Sequence, residues 1–244
     1  MLLWERGAVL FPGDVGYNQA TVPSNGRYAS ILPIAVALCA DETDVVNCIN
    51  WCRETGVPPV AKGGGHSYAG YSTTTGLLID VGRINSVDVD RSRGTAVVGG
   101  GARNKNVYDA TRDGPLFLPG GTCPGVGVGG LVLGGGIGYQ THWAGLTSDH
   151  LLGSRIVTAS GDVLEIDAST NSDLYWACRG GAGGNFGINT SFTFKLVEAP
   201  LRNVAFYRFT WHGADAAVAV LSAFHRMLAT APAALNAVAS AVHG

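Results

Sequence analysis

Cys123 to Gly138 reads CPGVGVGGLVLGGGIG, and an earlier loop, Lys62 to Tyr68, reads KGGGHSY. Glycine inside a helix or strand costs about 0.5–1 kcal/mol relative to alanine. Runs this dense therefore mark loops whose backbone must approach something closely or take a positive φ. Peptide N–H groups arranged in that way surround anions. Each loop also carries one nucleophilic side chain, His66 or Cys123. The pair of loops predicts a flat, phosphate-bearing group gripped from both sides.

Composition bounds the alternatives. The 244 residues suffice for one large or two modest domains with a proper core. The 36 glycines are about twice the usual share of roughly 7 %. A formal net charge of −2 and the lack of a Lys/Arg cluster give no nucleic-acid footprint. The N-terminus, MLLWERGAVLFPGD, does not read as a secretory signal. Gly125–Gly138 stops well short of the roughly 20 apolar residues that a bilayer span needs, so no membrane partner is expected. Cys39, Cys48, Cys52, Cys123 and Cys178 form no CxxC or zinc pattern, and no metal is expected. Cys48 and Cys52, four apart on a helix, read as two buried thiols. The compartment is open, with a lean to a reduced, cytoplasmic interior.

Along the chain, Gly7–Tyr28 is polar and turn-rich, and the strand-like ILPIAVALCA follows. Asp41 or Thr43 can cap a helix running to Arg53, with Val45, Val46, Ile49, Trp51 and Cys52 as its apolar face and Gly56 closing it. Strands are expected at residues 76–80, 86–90 and 94–99, and a helix from Asn104 to Arg112. Residues 153–159 and 163–166 read as strands around Ser160-Gly161, and Asn171–Cys178 as a short helix. GGAGGNFG (180–187) is a third glycine loop running into the strand Ile188–Val197. The sequon Asn189-Thr190-Ser191 falls inside that strand and reads as fortuitous. From Val204 a strand VAFYRFTW, which includes Tyr207, and an alanine-rich helix from Ala214 are expected.

Gly125-x-Gly127-x-x-Gly130 with Asp149 matches a dinucleotide fingerprint, which would make this a NAD-dependent Rossmann enzyme. That fingerprint must follow a strand directly and open a helix. Pro119 to Pro124 precede it instead, and glycines run on past Gly130 where a helix should form. The match is disfavoured.

KGGGHSYAGYSTTTGLLIDV, GGTCPGVGVGG with GGGIG, and DLYWACRGGAGGNFGINTSFTF, taken together, resemble FAD-linked oxidases of the berberine-bridge-enzyme type. These belong to the vanillyl-alcohol-oxidase/p-cresol-methylhydroxylase (PCMH) flavoprotein superfamily. The resemblance runs from about Gly7 to Pro200. It implies an α+β fold: a lead-in over residues 1–27, a PCMH-type FAD-binding domain of two α+β subdomains over 28–200, and the start of an α+β substrate domain, antiparallel sheet with helices, over 201–244.

The resemblance also implies bicovalent FAD. His66 takes the 8α-histidyl position and Cys123 the 6-S-cysteinyl position. An uncharged nitrogen nucleophile is needed at the first, and imidazole is largely neutral near pH 7. A thiolate is needed at the second. Lys62, Gly63, Gly64, Gly65, Ser67, Tyr68, Gly70 and Tyr71 would surround the pyrophosphate and ring edge. Gly121, Thr122, Gly127, Gly129, Gly130 and Gly134, with Asn185, Phe186, Gly187 and Ile188 of the third loop, would complete the cofactor contacts. Val126 falls where the family has an oxygen gatekeeper, and valine there resembles the oxidases. His142-Trp143 departs from a basic pair in many relatives; His142 has a surface or packing role, with a substrate-facing one as the alternative.

The implied function is an oxidase that takes hydride from an alcohol carbon of a bulky substrate, such as an oligosaccharide or glycosylated metabolite, and reduces O2 to H2O2. The alternatives are an FAD-binding fragment without catalysis and a flavin dehydrogenase that does not use O2. The family's catalytic base is expected in a C-terminal part beyond this sequence, and the sequence leaves the oligomeric state open.

Overall fold

The structure, a computed structural model, describes residues 7–199 and 205–241. Met1–Arg6 of the lead-in, the expected domain boundary at residues 200–201 and Val204 lie outside them. The chain builds two α+β layers. The first holds β1 (Ala8–Leu10), α1 (Tyr17–Thr21), β2 (Ala35–Leu38), α2 (Glu42–Thr55), β3 (Pro59–Lys62) and β4 (Leu77–Asp80). Its sheet runs β1-β2-β4-β3, with β2 and β3 parallel to β4 and β1 antiparallel at the edge. Leu77, Leu78 and Ile79 are fully buried, with Leu77 and Ile79 in one core cluster and Leu78 in another. Burial on both faces explains the unbroken apolar run. β1 and α1 arise from the stretch read as turns; three residues and five residues are too short to leave a period.

α2 follows the expected signals closely. The Asp41 carboxylate accepts from the Asp44 amide at 3.1 Å, and Gly56 ends the helix at φ 72°. Its buried face is Val45, Cys48, Ile49 and Cys52. Cys39 and Cys48 sit with sulfurs 3.8 Å apart, both buried free thiols, as is Cys52.

The second layer contains β5 (Val87–Asp90), β6 (Thr95–Gly99), α3 (Asn104–Thr111), β7 (Leu116–Phe117), α4 (Val128–Leu133), α5 (Thr141–Ala144), β8 (Leu151–Val157), β9 (Val163–Asp167), α6 (Ser172–Ala177), β10 (Ile188–Lys195) and β11 (Val197–Glu198). The five-stranded antiparallel sheet runs β5-β6-β10-β8-β9, and β7 pairs with β11. Phe192 and Phe194 of β10 anchor its core with Val98, Val107, Val128 and Val132. Asn189 is 6 % exposed and donates to the Ser154 hydroxyl at 2.8 Å, so the sequon faces inward.

Apolar and polar contacts join the layers. Val157 and Ile188 of the second layer belong to the core cluster of the first. Arg155 of β8 makes a bidentate pair with Glu42 of α2 at 2.8 and 3.2 Å, reinforced by Thr190 Oγ1 donating to Glu42 at 2.6 Å. Hydrogen bonds from Arg155, first, and Thr190 hold the Glu42 carboxyl below the ordinary Glu range. A depressed folded-state pKa gives stability that is present above the unfolded value of about 4.3 and is lost as pH falls. Arg155→Met is therefore expected to lower stability by about 1 kcal/mol near pH 6, a modest figure because the guanidinium is partly solvated. Thermal melts should show that deficit shrinking below about pH 4; a deficit that stays constant down to pH 3 refutes the pairing.

α7 (Ala214–Leu228) forms the helix expected from Ala214. The expected strand before it does not form. Residues 205–212 pair with no strand among the described residues, and Phe206, Tyr207, Phe209 and Trp211 are exposed. Alternation specifies a strand only where a neighbour takes up its ladder, so Tyr207 is not a strand residue here. The 230s lie across the turn before α5: Asn236 donates to the Tyr139 carbonyl at 2.6 Å, and His142 Nδ1 lies 3.0 Å from the Leu235 carbonyl oxygen. That gives His142 a surface packing role.

Candidate cofactor site

The His66 loop leaves β3 from a buried anchor. The Lys62 ammonium pairs with Asp80 at 3.0 Å and donates to the Ala20 carbonyl at 2.7 Å. Its charge is thereby committed inside the first layer, and a cofactor contact through that ammonium is not what the geometry offers. Gly65 then takes φ 70° and Gly70 φ 79°, where a side chain is strained. The segment before β2 grips the loop from outside: Ser24 N donates to Gly65 O, and Asn25 Nδ2 to Tyr68 O, both at 2.9 Å. The Ser67 hydroxyl accepts from the Tyr71 amide at 3.0 Å. His66 is left half-buried, with Tyr68 and Tyr71 exposed.

The Cys123 loop is held by α3. Asn104 N donates to Val126 O at 2.9 Å and Lys105 N to Pro124 O at 3.0 Å. Asn104 Nδ2 donates to Cys123 O at 3.0 Å, and the Tyr108 hydroxyl donates to Gly121 O. Cys123 is the exposed cysteine; the other four are buried. Gly127 bridges to Arg103, and α4 opens immediately after it. The expectation that no helix forms past Gly130 is thus corrected. Gly129 serves close packing there: a Cβ on it would sit 2.8 Å from Gly100 O. The other objection to a Rossmann site stands, since β7 ends at Phe117 and, among the described residues, pairs only with β11.

The two loops touch. A Cβ built on Gly64 would overlap the Gly127 nitrogen, and one on Gly127 would lie 2.5 Å from the Gly64 nitrogen. A Cβ on Gly125 would stand 3.5 Å from His66 Nε2, so the imidazole lies beside the residue two positions after Cys123. Val126 is half-buried between them in sequence, and Thr122 is exposed. The third loop closes on α4, with Ala182 N donating to Leu133 O at 2.9 Å and Gly183 against Leu133 and Gly130. Asn185 and Phe186 are exposed there; Gly187 takes φ 148°, and Ile188 is buried in the core. The Gly134 amide caps α4 through Leu131 O, which removes it as a free donor.

A cavity of about 440 Å3 beside His66 is lined by Gln19, Val22, Pro23, Ser24, Gly64 and Arg103. The amides of Gly65 to Tyr68 have no acceptor among the described residues. Of buried side-chain atoms among those residues, only Asp44 Oδ1 and Ser72 Oγ lack a partner, and Ser72 belongs to this loop. Unpartnered donors, a glycine-lined cradle and two nucleophiles on touching loops suit a flavin dinucleotide. Arg103, Asn104 and Tyr108 line or support this candidate site, and sequence reasoning missed them. Their helix was anticipated, but nothing in NKNVYDATR marks which loop it buttresses.

Residues 33–167 match the FAD_binding_4 family, described as FAD binding domain. The chain is 38 % identical over 213 residues to the Bacillus subtilis (strain 168) FAD-linked oxidoreductase YgaK, covering 84 % of this chain and 46 % of that protein. The solved structure of 6-hydroxy-D-nicotine oxidase from Arthrobacter nicotinovorans is similar with TM-score 0.75 and 34 % identity, over 79 % of this chain and 42 % of that one. Acremonium strictum glucooligosaccharide oxidase, in a structure described with 6-S-cysteinyl, 8α-N1-histidyl FAD, also gives TM-score 0.75, with 36 % identity over 80 % of this chain and 41 % of that one. The chain thus spans about half the length of the curated relatives it matches.

Proposed function

Since this chain belongs to the FAD-binding family of berberine-bridge-type oxidoreductases within the vanillyl-alcohol-oxidase/PCMH superfamily, we propose that it carries FAD attached at both His66 and Cys123 and serves an oxidase. The observation that carries this reading is the contact of the two glycine loops, which sets the His66 imidazole against Gly125. When bound, FAD would accept hydride from an alcohol carbon and pass the electrons to O2. The chain's own part is to hold the cofactor: loop amides and Ser72 toward the phosphates, His66 and Cys123 as covalent anchors. The proposed substrate is an oligosaccharide or a glycosylated metabolite, supported by the likeness to a carbohydrate oxidase.

Acid precipitation with intact-mass analysis tests the attachment. Flavin should remain on the denatured chain, persist in His66→Ala and in Cys123→Ala, and vanish only in the double variant. Flavin that washes out of the unaltered chain refutes covalent attachment.

Val126→Leu tests the oxidase assignment. A larger side chain at the proposed gate should slow reoxidation of the reduced flavin by O2 by about ten-fold or more, equivalent to about 1.4 kcal/mol of barrier. Stopped-flow reoxidation reads it directly, and an unchanged rate removes Val126 from that role.

A further inference from the structure

Resting on the bicovalent reading, we propose that Asn104 and Tyr108 of α3 are positioning residues for attachment at Cys123, clamping the Gly121–Cys123 backbone so that the thiol is held exposed on the loop that meets His66. The clamp has four hydrogen bonds. Asn104, itself 2 % exposed, donates through Nδ2 to Cys123 O at 3.0 Å. The Tyr108 hydroxyl donates to Gly121 O. The backbone amides of Asn104 and Lys105 take Val126 O and Pro124 O. The fit is close enough that a Cβ at Gly121 would lie 2.8 Å from Asn104 Nδ2, and one at Gly120 2.9 Å from the Tyr108 hydroxyl. Burial, first, and the nearby Cys123 charge push the Tyr108 phenol up to about 12. It therefore stays a protonated donor throughout the range near 8.5 where a cysteine ordinarily ionises.

Fixing the carbonyl on each side of the thiol's neighbours matters because a misplacement of about 1 Å can cost about a hundred-fold in rate. Attachment joins Cys123 Sγ to a ring carbon of the flavin. The thiol and ring hydrogens would leave, one S–C bond would form, and dioxygen would take up the two electrons and two protons as H2O2. Asn104 and Tyr108 exchange no proton in that balance.

The test follows flavin addition to the purified chain by peptide mapping, comparing Tyr108→Phe and Asn104→Ala with the unaltered protein. Each variant should attach flavin at Cys123 about ten-fold more slowly while attachment at His66 proceeds normally. Amide exchange over residues 120–126 should also quicken in the variants whether or not flavin is present. Parallel loss at both positions would show only a general structural role and overturn the proposal, as would unchanged exchange and an unchanged Cys123 rate. Tyr108→Phe removes one hydroxyl from a half-buried ring, so it keeps the test open if Asn104→Ala does not fold. Absence of flavin from Cys123 in the unaltered chain would overturn the bicovalent reading itself, an outcome distinct from a clamp whose loss goes unnoticed.

Discussion

Gly64→Ala is expected to strip the chain of retained flavin and to lower its melting temperature. The new methyl would overlap the Gly127 amide nitrogen and stand 2.9 Å from the Gly127 Cα, with Gly125 O at 3.2 Å. All three neighbours are backbone, so no side chain can swing aside. The two loops must part by an ångström or more. Overpacking of this kind costs about 1–3 kcal/mol, which in a protein of this size lowers Tm by about 2–12 °C. The larger effect is on the site. Parting the loops withdraws His66 from Gly125, and one ring can no longer meet both nucleophiles. Gly26→Ala is the control, because nothing lies within 4 Å of its added methyl and its backbone lies outside the left-handed region. Acid-stable flavin per chain and a melt on both variants check the prediction. A Gly64→Ala protein that keeps full flavin at normal Tm would mean the loops are not locked together.

The second large effect is expected at Lys62→Met. The Lys62 and Asp80 side chains are only 10 % and 14 % exposed, and the carboxylate has the ammonium and the Gly82 amide as its partners. Removing the cation leaves a buried carboxylate without its counter-charge, which costs about 3–5 kcal/mol. That corresponds to a fall in Tm of about 6–20 °C. Adding Asp80→Leu should recover part of the loss, since no uncompensated charge remains. A loss below about 1 kcal/mol in the single variant would show that water reaches the pair. The ion pair ties the end of β3 to the end of β4, directly below the loop that bears His66. Flavin retention should fall with stability here, whereas Gly64→Ala should lose flavin out of proportion to its Tm.

Much of the fold could be read from residues that act locally. Asp41 and Gly56 bracket α2 as capping chemistry requires, and Ser160-Gly161 turns β8 into β9, with Gly161 at φ 87°. The glycine loops drew attention to the candidate site because glycine is costly elsewhere. What escaped notice depends on partners distant in sequence. Lys62 reads as a loop residue until Asp80 and the Ala20 carbonyl come into view. Asn104 and Tyr108 read as one face of a helix, and only the packed layer shows them holding Gly121 and Cys123. α4 forms among glycines because Val128, Val132 and Leu133 bury their side chains in the second core, and tertiary packing overrides propensity there. The strand expected over 204–211 fails over its described part, 205–211, for the reverse reason: it has the alternation but no neighbour among the described residues.

The interlock of Gly64 with Gly127 has a kinetic meaning as well. Neither glycine loop is a cradle alone, and the two come from different layers, which Val157, Ile188 and the Glu42–Arg155 pair help to join. On the proposed bicovalent attachment, a nascent chain that has completed just the first layer would offer the dinucleotide half a grip and a single anchor. Capture would then wait for docking of the second layer, and the onset of yellow colour during refolding would serve as a clock for the last step of assembly.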